Sequence, residues 1–275
     1  MANILWQYWE KAPGVSKTPP HVVLGGWSVE VANPSIDFRR IGPSDLPGLL
    51  PDLDPRVQAI RLNPRGRIEK YLYQGRLKRK AIPVKVDIIR ALLLEKYGGV
   101  WTDADALFFQ DISPVFEDID RHGFICTRRA SFGKNHVPVN FYGTVPGGII
   151  IQKYCDALRS RLSGSSYYDY NEAGATTLTK IIDTNSNQAK LYPERFSMPF
   201  PFETADDVLF GPAEPEKVKE TLDGSAFTLI FGDRVNEETI ESLYHGETLI
   251  GALYRAAIPR HIFDEKIKAY KASPY

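Results

Sequence analysis

The chain has 275 residues, which is long enough to form one sizeable α/β domain. Its 34 basic and 34 acidic residues balance, so the charge of the whole molecule predicts no polyanion partner. The two cysteines imply neither a disulfide framework nor a metal site, and no run approaches the ~18 apolar residues of a membrane span, so we expect a cytoplasmic protein without a signal peptide or transmembrane segment.

From the N-terminus, the predicted elements alternate between strands and helices. Strands are predicted at 3–9, 38–41, 100–101, 107–109, 123–127, 147–151 and 227–231. Helices are predicted at 67–80, 84–97, 154–162, 173–182 and 240–255, whereas 21–31 is compatible with either state. Alternation of this kind predicts an α/β fold in a single domain, with a mainly parallel central sheet flanked by helices.

A helix followed by two glycines is the clearest local prediction. Apolar residues recur at helical spacing at Ile88, Ile89, Leu92, Leu93 and Tyr97. Asp87 and Arg90 lie on another face of the same helix. Gly98 and Gly99 supply the left-handed conformation that ends helices, and a short strand is expected to begin at Val100.

Two carboxylates follow this strand, at Asp103 and Asp105. Residues two apart on extended backbone point the same way, so both side chains can face one ligand. Mg²⁺ and Mn²⁺ prefer oxygen ligands and often combine one or two carboxylates with substrate phosphates. The same spacing recurs at 52–54, which flanking prolines predict to be a turn, and at 118–120, which we interpret as a solvated acidic face. The sequence therefore predicts a site for Mn²⁺ or Mg²⁺ at the middle pair.

The segment from Asp87 to Asp105 resembles a known family. Asp-x-x-Arg at 87–90, followed by Tyr-Gly-Gly-Val-Trp-x-Asp-x-Asp at 97–105, is similar to the sugar-transferase motif region with an Asp-x-Asp motif. This region occurs in capsular polysaccharide synthesis glycosyltransferases, initiation-type yeast α-mannosyltransferases and clostridial glucosylating toxins. Residues 3–10 and 81–115 carry the resemblance. It implies a GT-A (Rossmann-like) fold, a divalent metal, a nucleotide-sugar donor and retention of anomeric configuration.

The resemblance also implies roles for the residues of the joint motif. Asp87 and Arg90 correspond to residues that contact the donor sugar, and Trp101 to an aromatic donor contact. Asp103 corresponds to the carboxylate that touches ribose and sugar, often through the metal. Asp105 corresponds to the direct metal ligand.

Residues outside the joint motif are assigned by the same resemblance. The first strand would place Trp6, Gln7 and Tyr8 near the base and ribose of the donor. Asn140 is a candidate sugar contact. His245 is a candidate third metal ligand, because relatives often bring a late His or acid to the metal.

These assignments lead us to expect a metal-dependent glycosyltransferase that moves a sugar from a UDP-hexose to a glycan or other hydroxyl acceptor. Catalysis is assigned to Arg90, Asp87 and Asp103. Residues 1–110 would form the nucleotide-sugar and metal half, and 111–275 the acceptor half. The candidate general bases, required only if the enzyme inverts configuration, are Glu203, Asp206 and Asp207.

Other interpretations remain open. A phosphatase of the haloacid dehalogenase type would use Asp103 as nucleophile and Asp105 as general acid and base, with a late acidic loop at Asp233 and Glu237. A non-catalytic sugar-nucleotide-binding protein is a third class. The basic run at 65–85 is either a solvated face or a phosphate-contacting surface for the donor or an anionic acceptor. A nucleic-acid acceptor is conceivable but not favoured.

Overall fold

The computed structural model describes residues 3–11, 17–62, 76–131, 134–164, 167–169, 171–201, 204–229, 235 and 238–272. The strands within them are β1 (Ile4–Tyr8), β2 (Asp37–Ile41), β3 (Arg61–Leu62), β4 (Gly99–Thr102), β5 (Ala106–Phe108), β6 (Phe124–Thr127), β7 (Arg129–Ser131), β8 (Lys134–His136), β9 (Phe141–Thr144), β10 (Tyr167–Tyr168), β11 (Lys190–Tyr192) and β12 (Phe227–Leu229). The α-helices are α1 (Pro20–Ala32), α2 (Leu46–Leu49), α3 (Arg76–Tyr97), α4 (Ser113–His122), α5 (Ile149–Gly164), α6 (Thr177–Thr184), α7 (Ala205–Leu209), α8 (Pro215–Gly224), α9 (Ile240–His245), α10 (Leu249–Ala257) and α11 (Arg260–Ala272). Shorter helical turns lie at Pro55–Ala59, Glu172–Thr176, Ser186–Gln188 and Glu194–Phe196.

Six strands form the central sheet, in the order β11-β6-β9-β4-β1-β2. β1 is parallel to both β2 and β4, and β11 is parallel to β6. β9 is antiparallel to its two neighbours, β4 and β6. The predicted α/β class with a mainly parallel sheet is confirmed. Because β1 and β4 are parallel neighbours, the segments that follow Tyr8 and Thr102 leave the sheet at the same edge, where ligands commonly bind in such folds.

Helices cover both faces of this sheet. Trp6 of β1 packs in one core cluster with Ile88 of α3 and Tyr154 of α5. Leu5, its neighbour in the strand, packs in a second cluster with residues of α1 and α4. The alternation follows from the two-residue period of a strand that is buried on both faces. Along the described part of the chain, no helix combines the length and apolar character needed to cross a membrane.

Several observed elements differ from the predicted ones. The predicted strand at 147–151 is wrong, because α5 begins at Ile149. Ile149 is 57% exposed while the next two isoleucines are buried, so the apolar run is the first turn of a helix packed on one side. The ambiguous segment at 21–31 is helical. The predicted helix at 240–255 is broken at Gly246, and Thr248 caps the helix that follows by accepting from the backbone N–H of Gly251.

Helix α3 replaces the two separate helices predicted on either side of Pro83. It runs without interruption from Arg76 through Pro83 to Tyr97. The first part of the predicted 67–80 helix, at 67–75, lies outside the described residues. The continuous helix carries Asp87 and Arg90 to the edge of the sheet where β4 ends.

Candidate metal and donor site

The carboxylate loop lies between β4 and β5, near the middle of the sheet. β4 ends at Thr102, and Asp103 to Asp105 follow before β5 begins. The backbone N–H of Asp103 donates to the carbonyl oxygen of Asn140 at 3.1 Å. This hydrogen bond ties the loop to the segment that leads into β9.

Gly98 and Gly99 determine how the chain passes from α3 into β4. Their φ angles are positive, 66° and 97°, in a region that residues with a side chain rarely adopt. A Cβ on Gly99 would also lie 2.5 Å from the carbonyl oxygen of Ile4 on β1. The predicted end of the helix is confirmed, and the close approach to β1 explains why the strand begins with a glycine.

The Asp103 carboxylate is held through one of its oxygens. Oδ1 accepts from Arg90 Nη1 at 3.0 Å and from the indole Nε1 of Trp101 at 3.1 Å. The side chain of Asp103 is 33% exposed, whereas Arg90 and Trp101 are buried. Among the described residues, no hydrogen bond reaches Oδ2. Asp103 is therefore oriented by two donors and retains an oxygen for a ligand.

Arg90 connects this carboxylate to a second one on its own helix. Its Nη2 lies 2.9 Å from Asp87 Oδ1, its Nη1 also donates to the carbonyl of Val139, and its guanidinium lies 5.0 Å from the centre of the Trp101 ring. Burial lowers the pKa of Arg90, but Asp103 and Asp87 outweigh this effect and raise the pKa above its ordinary value. The guanidinium therefore remains charged between two carboxylates.

Asp87 lies against a glycine from a distant part of the chain. A Cβ on Gly174, in the turn Glu172–Thr176, would collide with Asp87 Oδ2 and lie 3.0 Å from Asp87 Cγ. Burial raises the pKa of Asp87 to about 7, while Arg90 lowers it and Asp103 raises it. No local signal in the sequence pairs positions 87 and 174, so this contact was not predicted.

Asp105 is the least satisfied carboxylate of the group. Its Oδ1 is buried and has no hydrogen-bond partner among the described residues. Burial, followed by the charge of Asp103, raises its pKa to about 8. The hydroxyl of Tyr254 on α10 is also buried and has no partner among the described residues, and burial, followed by the charge of Asp105, raises its pKa. Buried polar atoms without partners are unfavourable, so the site is chemically suited to a ligand that pairs with Asp105.

The donor set fits a hard cation. Carboxylate oxygens are the ligands that Mg²⁺ and Mn²⁺ prefer, and the two aspartates supply them without nitrogen or sulfur. Within the described ranges, no group of three or more His, Cys, Asp or Glu side chains could hold a metal. In sites of this kind, oxygens from a bound diphosphate and from water commonly complete the coordination of the cation.

The first-strand residues lie beside this site in different ways. Trp6 is fully buried and donates from its indole Nε1 to the carbonyl of Gly98 at 3.0 Å, so its ring packs in the core. Tyr8 is also buried, and its hydroxyl donates to Glu10 Oε2 at 2.7 Å. Gln7 donates from Nε2 to the carbonyl of Asp103 at 3.2 Å. The role of these residues in donor binding stays a prediction, but their observed contacts are structural.

Asn140 and His245 differ in their relation to the loop. Asn140 is 6% exposed, and both polar atoms of its side chain are buried without partners among the described residues, while its backbone accepts from Asp103. His245 is exposed at the end of α9, where its ring packs edge-on against Tyr244 and Phe263. The structure brings Asn140 to the site but does not join His245 to a three-ligand cluster with the aspartates. The ligand role of His245 stays a prediction.

The remaining candidates are only partly described. In the basic run, Lys85 is buried and donates to Glu10 at 2.7 Å, so it does not belong to a solvated face. Arg76 to Lys80 form the first turns of α3, and 63–75 lies outside the described residues, as do Glu203, Asp233 and Glu237. Asp206 and Asp207 lie in the first turn of α7.

The two other Asp-x-Asp pairs belong to different environments. Asp54 pairs with Arg56 at a surface turn, and Asp52 is exposed, as predicted from the flanking prolines. Asp118 is not simply solvated, because it accepts from Tyr192 and pairs with Lys190. Neither pair follows a strand of the central sheet.

The comparisons with known proteins support the resemblance seen in the motif. A family model described as capsular polysaccharide synthesis protein matches residues 68–168, which is less than half of the chain and contains Asp87, Arg90, Asp103 and Asp105. A search of curated proteins found no significant match. The resemblance to the capsular synthesis family is thereby confirmed for this segment.

The fold is similar to several solved glycosyltransferases. LgtC, a galactosyltransferase solved with donor and acceptor sugar analogues, aligns at 10% identity over 96% of this chain and 99% of its own, with a TM-score of 0.43. PaToxG glycosyltransferase aligns at 16% identity over 67% of this chain and 69% of its own, with a TM-score of 0.43. The bifunctional glycosyltransferase WbbM aligns at 8% identity over 96% of this chain and 51% of its own, with a TM-score of 0.46.

Proposed function

We propose that this protein is a metal-dependent glycosyltransferase of the GT-A type. It transfers a hexose from a UDP-hexose, with retention of configuration, to a glycan or other hydroxyl acceptor. The observation that supports this proposal is the joint arrangement at the end of β4. There, Asp103 is oriented by Arg90, Asp105 has a buried oxygen without a partner, and both lie within the segment that the capsular synthesis model matches.

Mn²⁺ or Mg²⁺ would be held by Asp105 and by Oδ2 of Asp103. When bound, such a cation neutralises the donor diphosphate and stabilises the charge that grows on it as it leaves. The raised pKa of Asp105 is consistent with this role, because a carboxyl that is costly to ionise alone gains most from a cation beside it.

Arg90 and Asp87 prepare the donor side of the site. Arg90 remains charged and contacts both Asp87 and Asp103, so it fixes the spacing of the two carboxylates. In the proposal, the same charge stabilises the leaving diphosphate, while Asp87 and Asp103 accept hydrogen bonds from hydroxyls of the donor. Asn140 is the further sugar contact, since its buried amide has no partner within the described residues.

The transfer needs no dedicated general base in a retaining enzyme. The bond between C1 of the sugar and the diphosphate oxygen breaks, and the acceptor oxygen bonds to C1 on the same face. The acceptor proton passes to the departing phosphate oxygen. The name of the matched family favours a polysaccharide as acceptor. The cytoplasmic location stays a prediction from the sequence.

The strand pairing does not favour the phosphatase alternative. A late acidic loop would have to follow the strand predicted at 227–231 and face Asp103 from a neighbouring parallel strand. The observed β12 instead pairs antiparallel with β5, outside the central sheet.

The decisive experiment is a panel of nucleotide-sugars incubated with Mn²⁺ and assayed for release of the nucleoside diphosphate. We expect UDP release from one UDP-hexose, and loss of that release in Asp105→Asn while the fold survives. Asp52→Asn, in the exposed pair, is the matched control and should behave as the wild type. Release of phosphate from simple monoesters, with no turnover of any nucleotide-sugar, would support the phosphatase instead.

A further inference from the structure

Beside the carboxylate loop, a series of partly buried hydrogen bonds runs from Arg40 on β2 through Gln7 on β1 to Asp103. Gln7 and Arg40 are direct partners across the parallel pair β1 and β2. Arg40 donates to Gln7 Oε1 from Nε at 3.1 Å and from Nη2 at 2.8 Å. The fork of the guanidinium thus fixes the Gln7 amide with its oxygen towards Arg40 and its nitrogen towards the loop.

The other end of this contact is the backbone of the loop itself. Gln7 is fully buried, and its Nε2 donates to the carbonyl oxygen of Asp103 at 3.2 Å. The N–H of Asp103 is bonded to Asn140 and its Oδ1 to Arg90 and Trp101. Asp103 is therefore constrained at its N–H, its carboxylate and its carbonyl, and the carbonyl accepts from Gln7 and, at 3.2 Å, from the backbone N–H of Ala106. Gln7 supplies the one side-chain donor to this carbonyl among the described residues.

Two glycines of α1 make room for the contact. A Cβ on Gly26 would lie 2.6 Å from Arg40 Nη2, and a Cβ on Gly25 would lie 2.7 Å from the carbonyl oxygen of Ala106. Burial lowers the pKa of Arg40 to about 10, with Glu30 opposing it, so the guanidinium is still charged at neutral pH. Helix α1 therefore packs closely against Arg40 and the end of the carboxylate loop, and Arg40 orients the Gln7 amide that donates to this loop.

We propose that Gln7 and Arg40 are positioning residues that hold the Asp103–Asp105 loop in its cation-binding shape, rather than contacts to the donor base. The inference rests on the proposed function for the identity of the ligand. Residues that orient metal ligands without touching the metal typically change metal affinity by roughly 10- to 100-fold when they are replaced.

Gln7→Glu separates positioning from folding. A glutamate at this position can still accept both Arg40 donors, as a charge-assisted pair, but it has no N–H for the carbonyl of Asp103. We expect the thermal midpoint to stay near that of the wild type. We also expect the affinity for Mn²⁺ alone, measured by electron paramagnetic resonance, to fall about tenfold or more. The kcat for the donor should fall with it. Arg40→Lys keeps the charge but loses the fork, so it should show a smaller change in the same direction.

Ser28→Ala is the matched control. Ser28 Oγ donates to the carbonyl of Gly25 and accepts from the N–H of Phe108, so it joins the same helix to β5 without touching the loop. This variant should lose thermal stability and keep the Mn²⁺ affinity of the wild type. A Gln7→Glu protein that matches the wild type in Mn²⁺ affinity and kcat would overturn the proposal, as would a Ser28→Ala protein that loses Mn²⁺ affinity to the same degree.

A metal-free measurement distinguishes this inference from the proposed function. The indole N–H of Trp101 donates to Asp103 Oδ1, so its proton resonance, assigned with Trp101→Phe, reports the position of that carboxylate. Gln7→Glu should shift this resonance and Ser28→Ala should not. If no nucleotide-sugar is turned over and the resonance still shifts, the proposed function fails and the positioning role stands. An unshifted resonance in Gln7→Glu refutes the positioning role whatever the activity.

Discussion

The two faces of α3 carry charges that are organised in opposite ways. On one face, Arg90 forms ion pairs with Asp87 and with Asp103. The second carboxylate oxygen of Asp103 accepts no hydrogen bond among the described residues. On the other face, Ile88 and Leu92 line a cavity of about 480 Å³ between the helix, α5 and the turn at 50–56.

Most of the charged side chains around that cavity have a partner within the protein. Glu95 of α3 pairs with Arg159 of α5, Lys96 donates to the carbonyl of Leu49 at 2.8 Å, and Asp54 pairs with Arg56. A charged group whose hydrogen bonds are satisfied within the protein gains little from a ligand. A carboxylate oxygen that is buried or half exposed and has no partner gains more from one. This cavity and the candidate site therefore do not coincide, and the arrangement of charge is the better guide to the candidate site.

Removing Arg90, which joins Asp87 to Asp103, should have the largest effect. Arg90→Ala leaves Asp87 and Asp103 without their shared counter-charge, and losing one partner of a buried pair costs about 3–5 kcal/mol. Turnover should also fall by roughly 10²-fold or more, as when a donor to a developing charge is removed. Denaturant unfolding and the UDP-release assay measure the two effects.

Arg90→Lys is the informative companion variant. It retains the charge but cannot bridge both carboxylates and the carbonyl of Val139 with a planar fork. We expect most of the stability to return and most of the turnover to remain lost. Near-normal turnover in both variants would reduce Arg90 to a structural ion pair with no role in the transfer.

A methyl group added at Gly174 should disturb the same ion pairs through its contact with Asp87. In Gly174→Ala the new Cβ would meet the Asp87 carboxylate, so either the turn or Asp87 has to move. Overpacking of this kind costs about 1–3 kcal/mol, and we expect a several-fold loss of turnover through displacement of Asp87. Gly164→Ala, at the end of α5 with no atom within 4 Å of the new Cβ, is the control and should leave turnover unchanged.

How much of this site the sequence predicts depends on the distance along the chain between the contacting residues. The helix, the two glycines, the strand and the Asp pair are contiguous, so periodicity and turn chemistry predicted these elements. The resemblance to the sugar-transferase motif then assigned Asp87, Arg90, Asp103 and Asp105 to one site. The contacts from Val139, Asn140 and Gly174 come from elements that only the completed fold brings to α3 and the carboxylate loop. An aromatic such as Trp6 is equally suited to a ligand or to a core, and only the packing of the sheet shows that it is buried.

The insertion of β9 between β4 and β6 was missed for a related reason. Its four residues, Phe141–Thr144, are all buried, but strand direction is set by which neighbours it pairs with rather than by its own composition. The apolar run at the start of α5 similarly could not be assigned by pattern alone, since short apolar runs are compatible with either state.

The pH dependence of stability should reveal the ionisation state of the Asp105 carboxylate. Asp105 has a pKa of about 8 in the folded protein and the ordinary value near 3.8 when unfolded. Between these values the folded state binds one more proton, so the free energy of unfolding should fall as pH rises from about 4 to about 8. The measurement is unfolding in chelator at several pH values, as the difference between wild type and Asp105→Asn.

Titrating groups that do not interact with Asp105 act on both proteins and cancel in that difference. His21, whose pKa burial lowers to about 4, makes the opposite contribution and is common to both. Added Mn²⁺ should stabilise the wild type more at pH 8 than at pH 5, because binding requires the ionised carboxylate. A difference between the two proteins that does not change with pH would show that Asp105 is ionised in the metal-free fold.

The smallest effect is expected on the opposite face of α3. Arg159 is half exposed and pairs with Glu95 and Asp156, so Arg159→Ala removes a surface pair that contributes ~0–1 kcal/mol. Turnover and Mn²⁺ affinity should equal those of the wild type, because none of these three residues contacts Asp87, Arg90 or the loop. The UDP-release assay and a thermal melt, run beside Arg90→Lys, measure whether the two faces act independently. A loss of turnover in Arg159→Ala comparable to that in Arg90→Lys would show that the cavity face is coupled to the site, and the separation of the two faces would then be wrong.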